Sequence, residues 1–145
     1  HTVRLQRDEL ERSIARLVEK NKFLSSIIAE MREVGRYARG EGSLKTDELI
    51  EKIRRNIASM ESLGTLEQQM NDVHRDFIRH IRELFPTLTP MEVKIAVLLK
   101  MNLTSPNIAS LLFISHRTVE VHRAHIRKKM GLKAMDNMYY ELGKL

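Results

Sequence analysis

Between Ser115 and Met130 the chain carries five basic side chains, Arg117, Arg123, Arg127, Lys128 and Lys129, and a single acid, Glu120. Guanidinium and ammonium groups along one helix can neutralise phosphates and donate to base edges. At about 100° per residue, Val119, Ile126 and Met130 share an inner seam that His122 and Arg123 flank. Arg117, Glu120, Val121, Ala124 and Lys128 point the other way. This outer set suits a groove-reading helix, its N-terminal half directed at bases and its basic end at phosphate. A basic helix is more commonly a solvated face, so its meaning depends on what positions it.

The remaining titratable groups offer less. His122 and His125 stand three apart with His116 nearby, but no cysteine or carboxylate-rich set completes a metal site. His74 and His80 are six apart and read as surface. No glycine-rich phosphate loop, Ser/His/Asp set or carboxylate dyad occurs at usable spacing, so the chain does not read as an enzyme. No metal and no cofactor is expected.

The elements around residues 115–130 are legible. Thr89 can cap a helix that begins at Pro90, with Glu92 at the capping-box position. That helix should bury Val93, Ala96, Val97 and Leu99 and end near Met101-Asn102. Ser105-Pro106 reads as a second N-cap, opening a short helix with Ile108, Ala109, Leu111 and Leu112. Ser115 caps a third, which stops at Gly131; Lys128 and Lys129 suit its C-terminal dipole. Two short helices joined by a tight turn, the second of them basic, make a helix-turn-helix signature.

The whole chain has 145 residues, 42% hydrophobic and 30% charged, with seven aromatics, three prolines, no cysteine and a net charge of +6. No run of about 18 apolar residues exists, so no membrane span is expected. The beginning of the chain has no apolar leader-like core, and because it starts with His it reads as a piece of a longer protein. The lack of cysteine suits a reducing, cytoplasmic setting. The charge is local: residues 1–85 hold sixteen Lys/Arg against fifteen Asp/Glu, whereas residues 86–145 hold nine against four.

No segment alternates with period two, so the fold should be all-α. In residues 1–38, Val3, Leu10, Leu17, Leu24, Met31 and Ala38 recur every seven residues, as do Arg7, Ile14, Asn21, Ile28 and Gly35. The two series interleave as the a/d seam of a coiled coil, with Ile at a, Leu at d and a register-setting Asn21. Leu10, Ile14, Leu17, Asn21, Leu24, Ile28 and Met31 are therefore candidate homodimerisation residues. Val18, Ile27 and Val34 widen the stripe, so a hairpin with the next helix is the competing reading. Gly40–Thr46 reads as the turn, with Thr46 as an N-cap. The second helix would use Leu49, Ile50, Ile53, Ile57 and Met60, and Gly64-Thr65 would break it. A third stripe, Leu66, Met70, Val73, Phe77, Ile81 and Leu84, stops at Pro86. The methionines, among them Met60, Met70, Met101 and Met130, read as gap-filling core. A phosphoacceptor receiver domain is not expected, because it needs a parallel sheet.

Leu88-Thr-Pro-Met-Glu92, Asn107-Ile-Ala-Ser-Leu-Leu-Phe-Ile-Ser-His-Arg-Thr-Val-Glu-Val-His-Arg123 and Ile126-Arg-Lys-Lys-Met-Gly-Leu132 together resemble the LuxR/FixJ/GerE-type DNA-binding domain. The resemblance covers about residues 85–145. It implies a four-helix domain whose last helix lies near Ala134–Leu142. It also implies base contacts at Glu120, Val121 and Ala124, and phosphate contacts at Ser105, Asn107, Arg117, Thr118, Arg127 and Lys128. Met138, Tyr139 and Leu142 would face a twin in a DNA-bound dimer. Glu120 departs from the pattern, since many members have Lys there; a carboxylate can instead accept from cytosine N4 or hold a neighbouring Arg. Phe113 stands where helix-turn-helix turns often have Gly, and a positive φ there would cost on the order of 1 kcal/mol. Val73–Ile78, leading into Phe85-Pro-Thr-Leu-Thr-Pro90, is similar to the helical linker before such domains in large bacterial sensor-regulators.

The expected architecture is thus a helical coiled-coil or hairpin arm (1–85) followed by a LuxR-type helix-turn-helix domain (86–145). The expected partners are double-stranded DNA, a second copy of the chain, and RNA polymerase as a further candidate, with no membrane contact. The competing function is a helical module that docks on the transcription machinery or on a regulator.

Overall fold

The computed structural model describes the backbone of residues 2–57 and 60–145, and the side chains of 3–55 and 65–145. The described residues form eight α-helices and no strand: α1 (Thr2–Tyr37), α2 (Glu41–Ile57), α3 (Met60–Val73), α4 (Arg75–Leu84), α5 (Pro90–Lys100), α6 (Ser105–Leu112), α7 (His116–Lys129) and α8 (Met138–Gly143). The all-α expectation is met.

The 36 residues of α1 span about 54 Å at about 1.5 Å each. α2 folds back along it, antiparallel, as the hairpin reading has it. The reversal is tighter than the sequence suggests: Gly40 takes φ 66° and α2 starts at Glu41. Thr46 is consequently a buried residue inside α2 rather than its cap, and its hydroxyl donates to the Gly42 carbonyl at 2.9 Å. The Thr46 methyl lies where a Cβ on Gly35 would meet it at 3.4 Å, so the hairpin closes on a small residue. Ile50 is buried and Leu49 is exposed; the side chains expected at Ile57 and Met60 fall outside the described residues. α3 runs through Gly64 and Thr65 without a break.

The third stripe spans two helices rather than one. Leu66 and Met70 on α3 and Phe77 and Ile81 on α4 are buried, while Leu84 is exposed. His74 sits at the elbow with φ −109° and ψ 24°. The hydrogen-bond ladder passes through it, from His74 N to Met70 O and from Ile78 N to His74 O. His74 is not a surface residue: burial, then the nearby charges of Lys100 and Arg7, hold its pKa below the usual imidazole value. His80 is exposed.

The core is continuous across residue 85. Leu10, Ile14 and Val18 from α1, Leu66 and Met70 from α3 and Phe77 and Ile81 from α4 join the buried residues of α5–α8. α5 is the central rod. It buries Ile95 and Leu98 as well as the expected Val93, Ala96, Val97 and Leu99, because α4, α7 and α8 all pack around it.

Candidate nucleic-acid interface

Helix ends set the geometry of the α5–α7 unit. Thr89 caps α5 as expected: its hydroxyl accepts from Glu92 N at 3.1 Å, and Glu92 Oε1 accepts from Thr89 N at 2.8 Å. Thr104, not Ser105, caps α6, accepting from Asn107 N at 3.3 Å, so Ser105 is the first helical residue. Ser115 caps α7 through Thr118 N at 3.0 Å. All three helices close in the same way. A left-handed residue follows the last turn, and the N–H after it reaches back five residues: Leu103 N to Leu98 O, Ile114 N to Ala109 O and Leu132 N to Arg127 O. The left-handed positions are Asn102 (φ 67°), Phe113 (φ 54°) and Gly131 (φ 71°). Phe113 is the strained one of the three, and its placement confirms that the turn forces a positive φ on a bulky residue.

α1 secures that turn. Asn21, only 4% exposed, donates from Nδ2 to Ser110 O at 2.7 Å and to Leu111 O at 3.1 Å. These are carbonyls of the last turn of α6, which a helix cannot satisfy internally. Leu10, Ile14 and Ile28 of the heptad seam are buried too, and Leu17, Leu24 and Met31 are half-buried, all within the chain. The face expected to meet a second copy is covered here by this chain's own α2, α3 and α6. Heptad spacing shows that a face is apolar, but an HTH helix of the same chain covers it equally well.

The five basic residues of α7 and its C-cap turn divide into two groups. Arg123 donates to Ser105 Oγ at 2.7 Å and lies over the Tyr139 ring, while the Tyr139 hydroxyl donates to Leu103 O at 2.9 Å. Arg127 donates to the Lys133 and Asp136 carbonyls at 3.0 and 2.7 Å. Lys129 donates to Glu92 Oε1 at 2.6 Å and to Thr87 O at 3.0 Å. These three fasten α7 to α5, α6 and the loop before α8. Arg117 and Lys128 make no hydrogen bond or ion pair among the described residues. Glu92 is buried; burial works against its charge, but the bond from Lys129 and those from Thr89 outweigh it, and its pKa lies below the ordinary carboxylate value.

Glu120, Val121 and Ala124 are exposed on one side of α7 with Arg117, Thr118 and Lys128, and Val121 keeps 47% of its surface open. Glu120 Oε1 lies 3.5 Å from His116 Nε2, so its local partner is a histidine rather than an arginine. Asn107 is half-exposed at the start of α6. Ser105 is buried and its hydroxyl is occupied by Arg123, and Arg127 is half-buried and engaged with loop carbonyls. Neither side chain is open to a phosphate in this conformation. α8 is shorter than expected, beginning at Met138 behind an Asn137 cap. Met138 and Leu142 are 1% and 0% exposed inside the core and Tyr139 is half-buried, so they do not form the open face expected of them; the aromatic side chain that α8 leaves exposed is Tyr140.

Sequence reasoning missed the Asn21 bonds, the Thr104 cap and the Lys129–Glu92 tie. The tie had a signal, since a capping-box glutamate on an otherwise apolar helix invites a basic partner. Asn21 had none beyond its polarity on an apolar seam.

Residues 86–139 match the GerE family, described as bacterial regulatory proteins, luxR family. The transcriptional regulatory protein TdiR of Thauera aromatica is 35% identical over 75 residues, a match that covers 52% of this chain and 33% of TdiR. The matched part is therefore about a third of that relative's length. No solved structure matches the chain. Among the described residues no helix is long and apolar enough to cross a membrane. The capped α5–α6–α7 unit, its exposed basic helix and this match agree: residues 86–139 are a GerE-type helix-turn-helix domain of the luxR family of bacterial regulatory proteins.

Proposed function

We propose that the chain is a sequence-specific duplex-DNA reader that regulates transcription, with α7 as the helix that enters the major groove. The observation that carries this is the division of charge on α7. Three basic side chains are consumed in holding the helix, and Arg117 and Lys128 remain open beside Glu120, Val121 and Ala124. Glu120 and Ala124 read base edges, Val121 packs on thymine methyls, and Arg117, Thr118, Asn107 and Lys128 meet phosphates. Ser105 and Arg127 join the phosphate contacts only by giving up the bonds described above. No catalysis and no cofactor is part of this reading, which places the protein in the cytoplasm. RNA polymerase is its further partner.

A homodimer on a two-fold-related site completes the proposal, since two copies of α7 would then enter grooves about one helical turn apart. Assembly through the α1 seam is a separate state, in which the seam leaves α6 and Asn21 exchanges its carbonyl partners for its twin; a single copy on DNA keeps the arm docked. Residues 1–85 in this reading are the assembling and signal-transmitting part, and 86–145 the reader.

A second reading has support on the opposite face of α1. Leu5, Phe23, Val34 and Tyr37 are all exposed, and they lie within about 60° of one another around the helix. Such a stripe suits a protein partner. Selection of bound duplexes from a random pool distinguishes the two. A recovered motif with two-fold symmetry, and binding that weakens steeply between about 50 and 200 mM salt, supports the DNA reading. Failure to recover any motif, together with salt-insensitive protein capture, supports the docking module.

A further inference from the structure

A cleft of about 380 Å³ opens where the arm meets the helix-turn-helix. Ser25 and Arg32 of α1 and Arg54 of α2 form one wall, and Ser110, Phe113 and Ser115 the other. Among the described residues no carboxylate lines it. Arg54 has a loose neighbour, Glu51, at 3.8 Å, and Arg32 has no hydrogen bond or ion pair among the described residues. Both guanidiniums come from outside the family domain, so neither belongs to the contact set that the resemblance implies.

The position of the cleft identifies its occupant. Ser115 is both a lining residue and the N-cap of α7. Arg117 and Glu120, the first outward residues of α7, follow within two turns. A backbone that passes the N-terminal end of α7 also passes this cleft. Two guanidiniums and the hydroxyls of Ser25 and Ser110, with no acid among the described lining residues, match the donor needs of a phosphodiester, for which arginine is the apt residue.

We propose that Arg32 and Arg54 bind DNA backbone phosphate beside the groove entered by α7, so that the arm extends the DNA footprint beyond the helix-turn-helix domain. The inference rests on the DNA-reading proposal above and adds a contact from the arm. It also gives the arm two relations to DNA-binding: Asn21 holds the turn, and Arg32 lies beside the DNA strand that the turn approaches.

The test measures affinity of the whole chain for a labelled 30-base-pair duplex of random sequence between about 50 and 200 mM salt. Wild type, Arg32→Gln/Arg54→Gln, Arg32→Glu and Lys128→Ala are compared. If the arm contacts phosphate, the double variant binds about tenfold more weakly at low salt and its salt slope falls by about two. Arg32→Glu weakens binding further than neutral substitution, and all variants converge as salt rises. Unchanged melting and circular dichroism show that the hairpin is intact; if Arg54→Gln unsettles it, Arg32→Gln alone must lower the slope by about one. An unchanged slope in the arginine variants, alongside a lowered one in Lys128→Ala, overturns the arm contact and leaves the α7 reading standing. A wild-type chain that binds no duplex overturns both.

Discussion

The seam of α1 and the outer face of α7 each read, in the sequence, as a surface for another molecule. The structure treats them oppositely. Leu10, Ile14, Asn21 and Ile28 are buried against this chain's own helices, whereas Glu120, Val121, Ala124, Arg117 and Lys128 stay open. The difference is one of chemistry. An apolar stripe is covered by whatever apolar surface lies near, and the nearest belongs to α2, α3 and α6. A face of charged and small side chains has no such drive, so it remains available until an anion arrives. A heptad pattern therefore specifies burial without naming the partner, while an unburied basic face is closer to a statement about function.

The largest effects should come from breaking the seam. Leu10→Ala removes a fully buried side chain and should cost about 2–5 kcal/mol, measured as a lower denaturant midpoint for the entire chain rather than for the arm alone. A midpoint shift confined to the arm would mean that the two parts do not share a core. Asn21→Ala leaves the Leu111 carbonyl without the Asn21 donor and Ser110 O with only the longer bond from Phe113 N, for about 1–3 kcal/mol. Asn21→Ile separates the two uses of the seam. With the arm docked it lowers the melting temperature; in a parallel coiled coil the same change would favour association.

Acidification sharpens the comparison in two windows. His74 has a lowered pKa, so the unfolded chain takes up protons more readily; stability should decline as pH falls below about 6.5, the ordinary value. His74→Gln should remove that limb of the stability profile. Glu92 also has a lowered pKa, and its contribution is fully present above the ordinary value of 4.5 and fades as pH falls through the depressed one. Glu92→Ala should cost about 1.5–3 kcal/mol near neutral pH, through the lost bonds from Lys129 and Thr89.

The smallest effects on stability belong to α7's open face. Arg117→Ala and Lys128→Ala should shift stability by less than about 0.5 kcal/mol. In DNA binding they should weaken all sequences alike and lower the salt slope by about one each. Glu120→Ala or Val121→Ala should leave the slope alone and change the preferred bases.

Much of residues 86–145 was legible because its signals are local. A cap lies within three residues of what it caps, and Thr89, Ser115 and Gly131 read correctly. Where two adjacent residues can both cap, as at Thr104-Ser105, spacing alone does not choose. The outer face of α7 was legible because helical geometry fixes directions without knowledge of neighbours. Which bases were spoken for was not, because Arg123, Arg127 and Lys129 find partners 6 to 42 positions away. The arm was harder for the same reason. Asn21 meets carbonyls about ninety residues along the chain, and nothing in a heptad reports that distance. The hairpin was foreseeable from Gly40, although its tightness was not.

An NMR titration of the whole chain with a short duplex tests the central claim most directly, since it follows both faces in one experiment. The account predicts that amide shifts concentrate at Arg117, Thr118, Glu120, Val121, Ala124 and Lys128, while Leu10, Ile14, Asn21 and Ile28 keep the signals of a docked arm. Shifts confined to the α1 seam, with α7 unaffected at saturating DNA, would contradict it.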